Sequence, residues 1–146
     1  MEVPKSSLNF LGYKVRSIDF HVNEDFVEDQ DTFNIEPELT IEVQREDEIG
    51  VVLLSCSVFD DETEYPFTLH IAMEGGFQLN NIPQEKTDDV LSRNAVAIMY
   101  PYLRAAVTSI TQTAGINPLI LPIANVSILA DELFEKTQEK KDQLND

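Results

Sequence analysis

Apolar and polar positions alternate through the first half of the chain, which is the pattern of β-strands. Over residues 8–22 the apolar positions change phase twice, which predicts one long strand that is twisted or bulged. Residues 39–43 alternate as in a strand with one face in water. An apolar run at 51–59 and a regular alternation at 65–73 predict two further strands, so the pattern contains four in all.

The second half changes to the three- and four-residue spacing of helices. A helix begins near Thr87, contains Pro101 and ends at Gly115, and the proline predicts a kink. Its predicted apolar stripe consists of Leu91, Ala95, Ile98, Tyr102, Ala106 and Ile110. A final helix is predicted from Ser127, and the charged tail after Glu135 is expected to fray.

Four strands followed by two helices predict the α+β class, with a four-stranded antiparallel sheet and segregated helices. Strand and helix do not alternate along the chain, so a parallel sheet is not expected. We therefore expect a single domain over residues 1–146, frayed at 1–7 and at 136–146.

The formal net charge of −17 narrows the classes of partner. A field of that sign repels phosphate backbones and anionic lipid surfaces, so neither nucleic acid binding nor membrane insertion is expected. It favours partners with basic or exposed apolar segments. Cys56 is the single cysteine, and no signal-peptide pattern precedes the first strand, so the expected location is the cytoplasm.

Signals for catalysis or metal binding are weak. The two histidines, His21 and His70, lie on different predicted strands, and no cysteine cluster or phosphate-binding glycine loop occurs. Acidic runs at 24–31 and 60–64 are interpreted as solvated turns, because they do not have the spacing of an EF-hand loop. The sequence predicts a protein that is not an enzyme, with no catalytic residue, metal or cofactor.

The segment 118–124 is apolar but lies between two prolines, where neither a helix nor a central strand forms. One interpretation is a buried connector that seals the core, and composition alone favours it. The other is an extended apolar lip that lines a binding groove.

The long predicted helix contains Tyr100-Pro101-Tyr102-Leu103-Arg104, followed by Thr108-Ser109. These motifs resemble the Phe-Pro-Tyr-Ala-Arg and the Thr-Ser of the SecB export chaperones, and further motifs match this family in register over most of the chain. The stretch 73–77, Met-Glu-Gly-Gly-Phe, is similar to the end of the family's fourth strand. The stretches 35–43 and 118–125 resemble its second strand and the loop between its helices.

The resemblance implies an ATP-independent holdase that binds unfolded polypeptides in apolar grooves and forms a dimer of dimers. By that resemblance, the client groove is lined by Ile35, Leu39, Ile41, Val43, Leu119, Leu121, Ile123, Leu129 and Leu133. The implied oligomer interface comprises Tyr13, Val15, Ile98, Tyr102 and Ala106. The expected clients are preproteins for Sec-dependent export.

The sequence departs from the resemblance at the surface with which export-type members dock the translocase motor SecA. The family's acidic positions on the first strand correspond to Ser17 and His21 in this sequence. Its acidic position on the fourth strand corresponds to His70 or Ile71. Asp19 and Glu74 are close by, and they are the candidates for a motor-docking surface. The departure raises an alternative, a SecB-like chaperone dedicated to the antitoxin of a toxin–antitoxin system. An adaptor for one folded protein partner is a second alternative, also without catalysis.

Overall fold

The computed structural model describes residues 5–25, 37–59, 65–122 and 126–144. Within them, the predicted α+β architecture is confirmed. The strands are β1 (Ser7–Val22), β2 (Glu38–Glu46), β3 (Ile49–Val58) and β4 (Phe67–Asn80). A short 3-10 turn (Gln84–Lys86) leads into α1 (Thr87–Thr113), and α2 (Val126–Leu144) follows. The acidic runs of the sequence lie largely outside the described residues.

The sheet is antiparallel throughout, with the strand order β1-β4-β3-β2. Consequently, β1 and β2 are the two edge strands of the sheet. They follow each other in the chain but lie at opposite ends of the sheet. The register of β1 against β4 shifts between Phe10 and Gly12 and again between Val15 and Ser17. These two irregularities account for the two phase changes, because each extra residue returns the following apolar side chains to the helix-facing side.

Helix α1 lies very close to that side of the sheet. A Cβ atom added at Gly50 would lie 2.6 Å from a methyl group of Leu91, and one at Gly75 would lie 2.7 Å from the sulfur of Met99. Glycine at these two positions therefore allows the helix to approach the strands. Gly115 has a φ of 82° and ends the helix region as predicted, since a left-handed residue there favours glycine.

The buried stripe of α1 differs from the predicted one. The structure buries Leu91 and Ala95 as expected, but the core stripe continues through Met99, Leu103 and Val107. Ile98, Ala106 and Ile110 are half-buried, and Tyr102 is exposed. The helix carries two neighbouring apolar stripes, and spacing alone did not show which one faces the sheet.

Helix α2 is held against α1 by a charged cluster. Arg93 of α1 pairs with Asp89 on its own helix and with Asp131 of α2, and its guanidinium lies 5.1 Å from the ring centre of Phe134. Beyond Glu135 the helix continues to Leu144, and the fraying expected from its charge stays a prediction. Three side chains of this last part, those of Lys136, Lys140 and Leu144, line a groove beside β2.

Candidate functional site

A groove of about 410 Å³ runs between the edge strand β2 and helix α2. Its apolar lining comes from both elements. The strand supplies Leu39, Ile41 and Val43, and the helix supplies Leu133 and Leu144. The structure thus brings together four of the predicted client-groove residues: Leu39, Ile41, Val43 and Leu133.

The floor of this β2–α2 groove belongs to the hydrophobic core. Leu39 and Ile41 expose only 6% and 7% of their surface, and Val43 is half-buried. Alternation along β2 sets this arrangement, because every second residue points to the helix side. An occupant of the groove would therefore rest on side chains that are already packed in the core.

Strand β2 pairs with β3 on one side, and within the described residues no strand pairs with its other side. An edge of this kind presents unpaired backbone N–H and C=O groups to an incoming extended chain. Arg45 fixes one end of the strand, since its Nη1 donates to the carbonyl oxygen of Ile82 at 2.9 Å and to Oγ1 of Thr87 at 2.8 Å. The groove therefore combines an apolar floor with an available strand edge.

In the described part of the connector between the helices, Leu119, Ile120 and Leu121 do not line this groove. Leu121 is fully buried and Leu119 is 8% exposed, whereas Ile120 between them is 59% exposed. The extended backbone points alternate side chains inward, so Leu119 and Leu121 seal the core. This burial agrees with the buried-connector interpretation, and the assignment of the two residues to the client groove stays a prediction.

Three other predicted groove residues are not placed by the structure. Ile35 and Ile123 lie outside the described residues. Leu129 lies within α2, but its side chain is not described. Their role in a groove stays a prediction.

A row of hydrogen-bonding side chains on α1 holds this connector. The hydroxyl group of Tyr100 donates to the carbonyl oxygen of Pro122 at 2.7 Å, and Nε of Arg104 donates to that of Leu121 at 2.8 Å. One turn further, Oγ1 of Thr108 donates to the carbonyl oxygen of Leu119 at 2.8 Å. Oγ1 of the buried Thr111 accepts from the backbone N–H of Leu119, also at 2.8 Å.

These four residues, which we call the connector clamp, were not assigned a role from the sequence. Their spacing of three and four residues places them on one face of the helix. That spacing was the available signal, and it passes through the Tyr-Pro-Tyr-Leu-Arg and Thr-Ser motifs that carried the family resemblance. The clamp explains why those polar residues accompany an apolar connector, whose carbonyl groups need donors when they leave water.

The predicted oligomer-interface residues form an aromatic and aliphatic surface on the helix side of β1. The rings of Tyr13 and Tyr102 are 4.7 Å apart, and these residues are 44% and 43% exposed. Val15 lies beside them and is also exposed, whereas Ile98 and Ala106 are half-buried. The structure thus brings the exposed members together on one surface.

The proposed motor-docking residues lie on the opposite face of the sheet, and both are paired. Asp19 contacts Nε2 of His21 at 2.7 Å. Glu74 forms ion pairs with Lys14 at 3.3 Å and with Arg16 at 2.8 Å. Two cations beside one carboxylate leave no net negative charge at Glu74, which is unfavourable for docking a basic partner.

The described residues contain no cluster of three or more side chains able to hold a metal ion. Burial raises the pKa of the Cys56 thiol to about 12, so it stays protonated and unreactive at neutral pH. Of the helices within the described ranges, none is long and apolar enough to cross a bilayer.

Comparisons with known proteins agree with the architecture. The model of the family described as "Preprotein translocase subunit SecB" matches residues 1–141. An uncharacterised protein of Methanocaldococcus jannaschii is 30% identical over 95% of this chain and 94% of its own length. The protein-export protein SecB of Methylobacillus flagellatus is 32% identical, over 56% of this chain and 51% of its own length.

Among solved structures, a SecB-like chaperone of Mycobacterium tuberculosis, in complex with a peptide from an antitoxin, superposes with a TM-score of 0.69. The match covers 81% of this chain and 91% of that one, at 17% sequence identity, and it shows that the two share a fold. Together with the family match over nearly the whole chain, the four-stranded sheet and the two helices establish that this protein belongs to the SecB family of chaperones.

Proposed function

We propose that this protein is an ATP-independent holdase of the cytoplasm that binds unfolded or non-native polypeptides, with preproteins for export as the principal clients. The observation that carries the proposal is the β2–α2 groove, where Leu39, Ile41, Val43 and Leu133 line an apolar floor beside a strand edge that pairs with no other described strand. A catalytic role is not part of the proposal.

The groove suits a client that is recognised by chemistry rather than by sequence. Burial of apolar client surface gains about 25 cal/mol per Å², whatever the order of the residues. Backbone hydrogen bonds to the free edge of β2 would add affinity that is equally independent of sequence. Both contributions are lost when the client folds and buries its own apolar side chains, which would release it without nucleotide.

We further propose a homo-oligomer, with a dimer of dimers as the assembly, formed through the helix side of β1. That surface exposes Tyr13, Val15, Ile18, Val22 and Tyr102, and such a contiguous apolar surface is uncommon on a monomer. Several grooves on one particle would bind successive segments of the same unfolded chain, and the gain would be one of avidity.

Light scattering from an unrelated unfolded protein tests this function. We expect the chain to suppress aggregation at about one oligomer per client, without nucleotide. No suppression at several-fold excess would contradict the holdase proposal and would favour an adaptor for one folded partner.

A second candidate, a chaperone dedicated to an antitoxin, is supported by two observations. The structural neighbour from Mycobacterium tuberculosis was solved with an antitoxin peptide, and Glu74 is neutralised by Lys14 and Arg16. We therefore expect weak binding of SecA. Calorimetry that gave a sub-micromolar Kd for SecA would favour the export role over this second candidate.

A further inference from the structure

The β2–α2 groove has a charge opposite to that of the whole chain. The molecule carries a formal charge of −17, yet among the described residues the charged side chains that line the groove are those of Lys136, Lys140 and Glu42. The remaining described carboxylates of α2 do not line it: Asp131, Glu132, Glu135, Glu139 and Asp142. The helix wall of the groove is therefore cationic.

Within the part of the chain that the structure describes, the two lysines form no ion pair. Five other basic side chains do have partners: Lys14 and Arg16 pair with Glu74, Arg93 with two aspartates, and Arg45 and Arg104 with backbone carbonyl groups. Among the residues that the structure describes, neither Lys136 nor Lys140 has a carboxylate within ion-pair distance. Both are exposed, so their ammonium groups are available to an occupant.

The position of the lysines fits a side chain that alternates with apolar anchors. In an extended segment, successive side chains point to opposite sides, and pleated residues on one side are about 7 Å apart. Lys136 and Lys140 are one helical turn apart, about 6 Å along the axis of α2. A segment that rests its apolar side chains on Ile41 and Val43 turns its other side toward α2. Carboxylates on that other side have about the same spacing as the two ammonium groups and can lie near both.

We propose that the groove prefers extended apolar segments of a partner polypeptide that carry acidic side chains on the side facing α2. This inference rests on the proposed function, since it names the client chemistry of the same groove. The net negative charge of the whole molecule favours basic segments instead. At about 0.15 M salt, however, charges more than about 8 Å away are largely screened, so the charges nearest to the bound segment determine its preference.

Fluorescence anisotropy with three labelled peptides tests the preference. Each has nine residues, the length of β2, with leucines alternating with glutamate, glutamine or lysine. At about 0.15 M salt we expect the glutamate peptide to bind more tightly than the lysine peptide, by about two- to five-fold for each ammonium group contacted.

Variants connect the preference to the two lysines. Lys136→Glu with Lys140→Glu should reverse it, and Lys136→Gln with Lys140→Gln should abolish it. Lys5→Glu, the same charge change at an exposed residue that does not line the groove, should leave it unchanged. Equal or tighter binding of the lysine peptide to the unaltered chain would overturn the inference, as would a preference that the paired variants do not change.

The glutamine peptide separates this inference from the proposed function. If it binds, and a charge placed in the groove by Val43→Asp weakens it, the groove is the client site whichever charged peptide is preferred. If it does not bind, the proposed function and the inference fall together.

Discussion

At the scale of single residues, the connector between the helices shows how neighbours of the same chemistry take different roles. Leu121 and Ile120 are adjacent aliphatic residues, yet one is fully buried and the other is 59% exposed. The sequence singled out the apolar segment 118–124 and left two interpretations open, a buried connector and the lip of a groove. It did not identify which side chains turn inward, because between two prolines there is no regular element to set the phase.

This difference gives a matched pair of substitutions. Leu121→Asp removes a buried side chain and places a carboxylate in the core, so we expect it to lower the free energy of unfolding by at least about 3 kcal/mol. Ile120→Asp also replaces an aliphatic side chain by a carboxylate, but at an exposed position. It should change the free energy of unfolding by no more than about 0.5 kcal/mol. Urea denaturation followed by circular dichroism measures both, and equal effects would contradict the buried position of Leu121.

At the scale of elements, the order and type of the strands and helices could be predicted, including the bulged first strand. The phase changes in β1 were visible because each bulge shifts a strict period of two. The sheet-facing stripe of α1 could not be predicted, since Ile98, Tyr102 and Ala106 also recur at helical spacing. The close approach of the helix to Gly50 in β3 and to Gly75 in β4 decides between the stripes.

The connector clamp allows a prediction of how much stability is lost when one of its hydrogen bonds is removed. Thr111→Val keeps the shape of the side chain but removes the oxygen that accepts from the backbone N–H of Leu119. We expect a loss of about 1–3 kcal/mol, because a buried donor is left without an acceptor. Thr113→Val, the same change at an exposed residue, is the control. If Thr111→Val and Thr113→Val had the same stability in thermal unfolding, the role of Thr111 in holding the connector would be contradicted.

At the scale of the whole molecule, the groove could be predicted only in part. Leu39, Ile41 and Val43 followed from the alternation of a strand and from the family resemblance. The cationic wall did not, because Lys136 and Lys140 lie in a tail that its charge suggested would fray. Contacts between distant parts of the chain, which no local pattern encodes, bring this tail beside β2.

The proposed assembly makes a prediction about mass. Tyr102→Glu adds a charge to the exposed aromatic surface that includes Tyr13, and we expect it to lower the oligomer mass measured by light scattering after size exclusion. Ile49→Glu is a matched control, since Ile49 is 41% exposed but lies on the opposite face of the sheet. An unchanged mass for Tyr102→Glu would count against an interface on this surface.

The most direct test of the central claim compares two valine substitutions on adjacent strands. Val43 lines the groove, whereas Val51 is also half-buried but points to the opposite face of the sheet. The measurement is the affinity of a fluorescently labelled unfolded client for the unaltered chain, Val43→Asp and Val51→Asp, with circular dichroism to verify the fold. We predict that Val43→Asp weakens binding by about tenfold or more and that Val51→Asp changes it by less than about twofold. Equal affinities for all three proteins would contradict binding of clients in the β2–α2 groove.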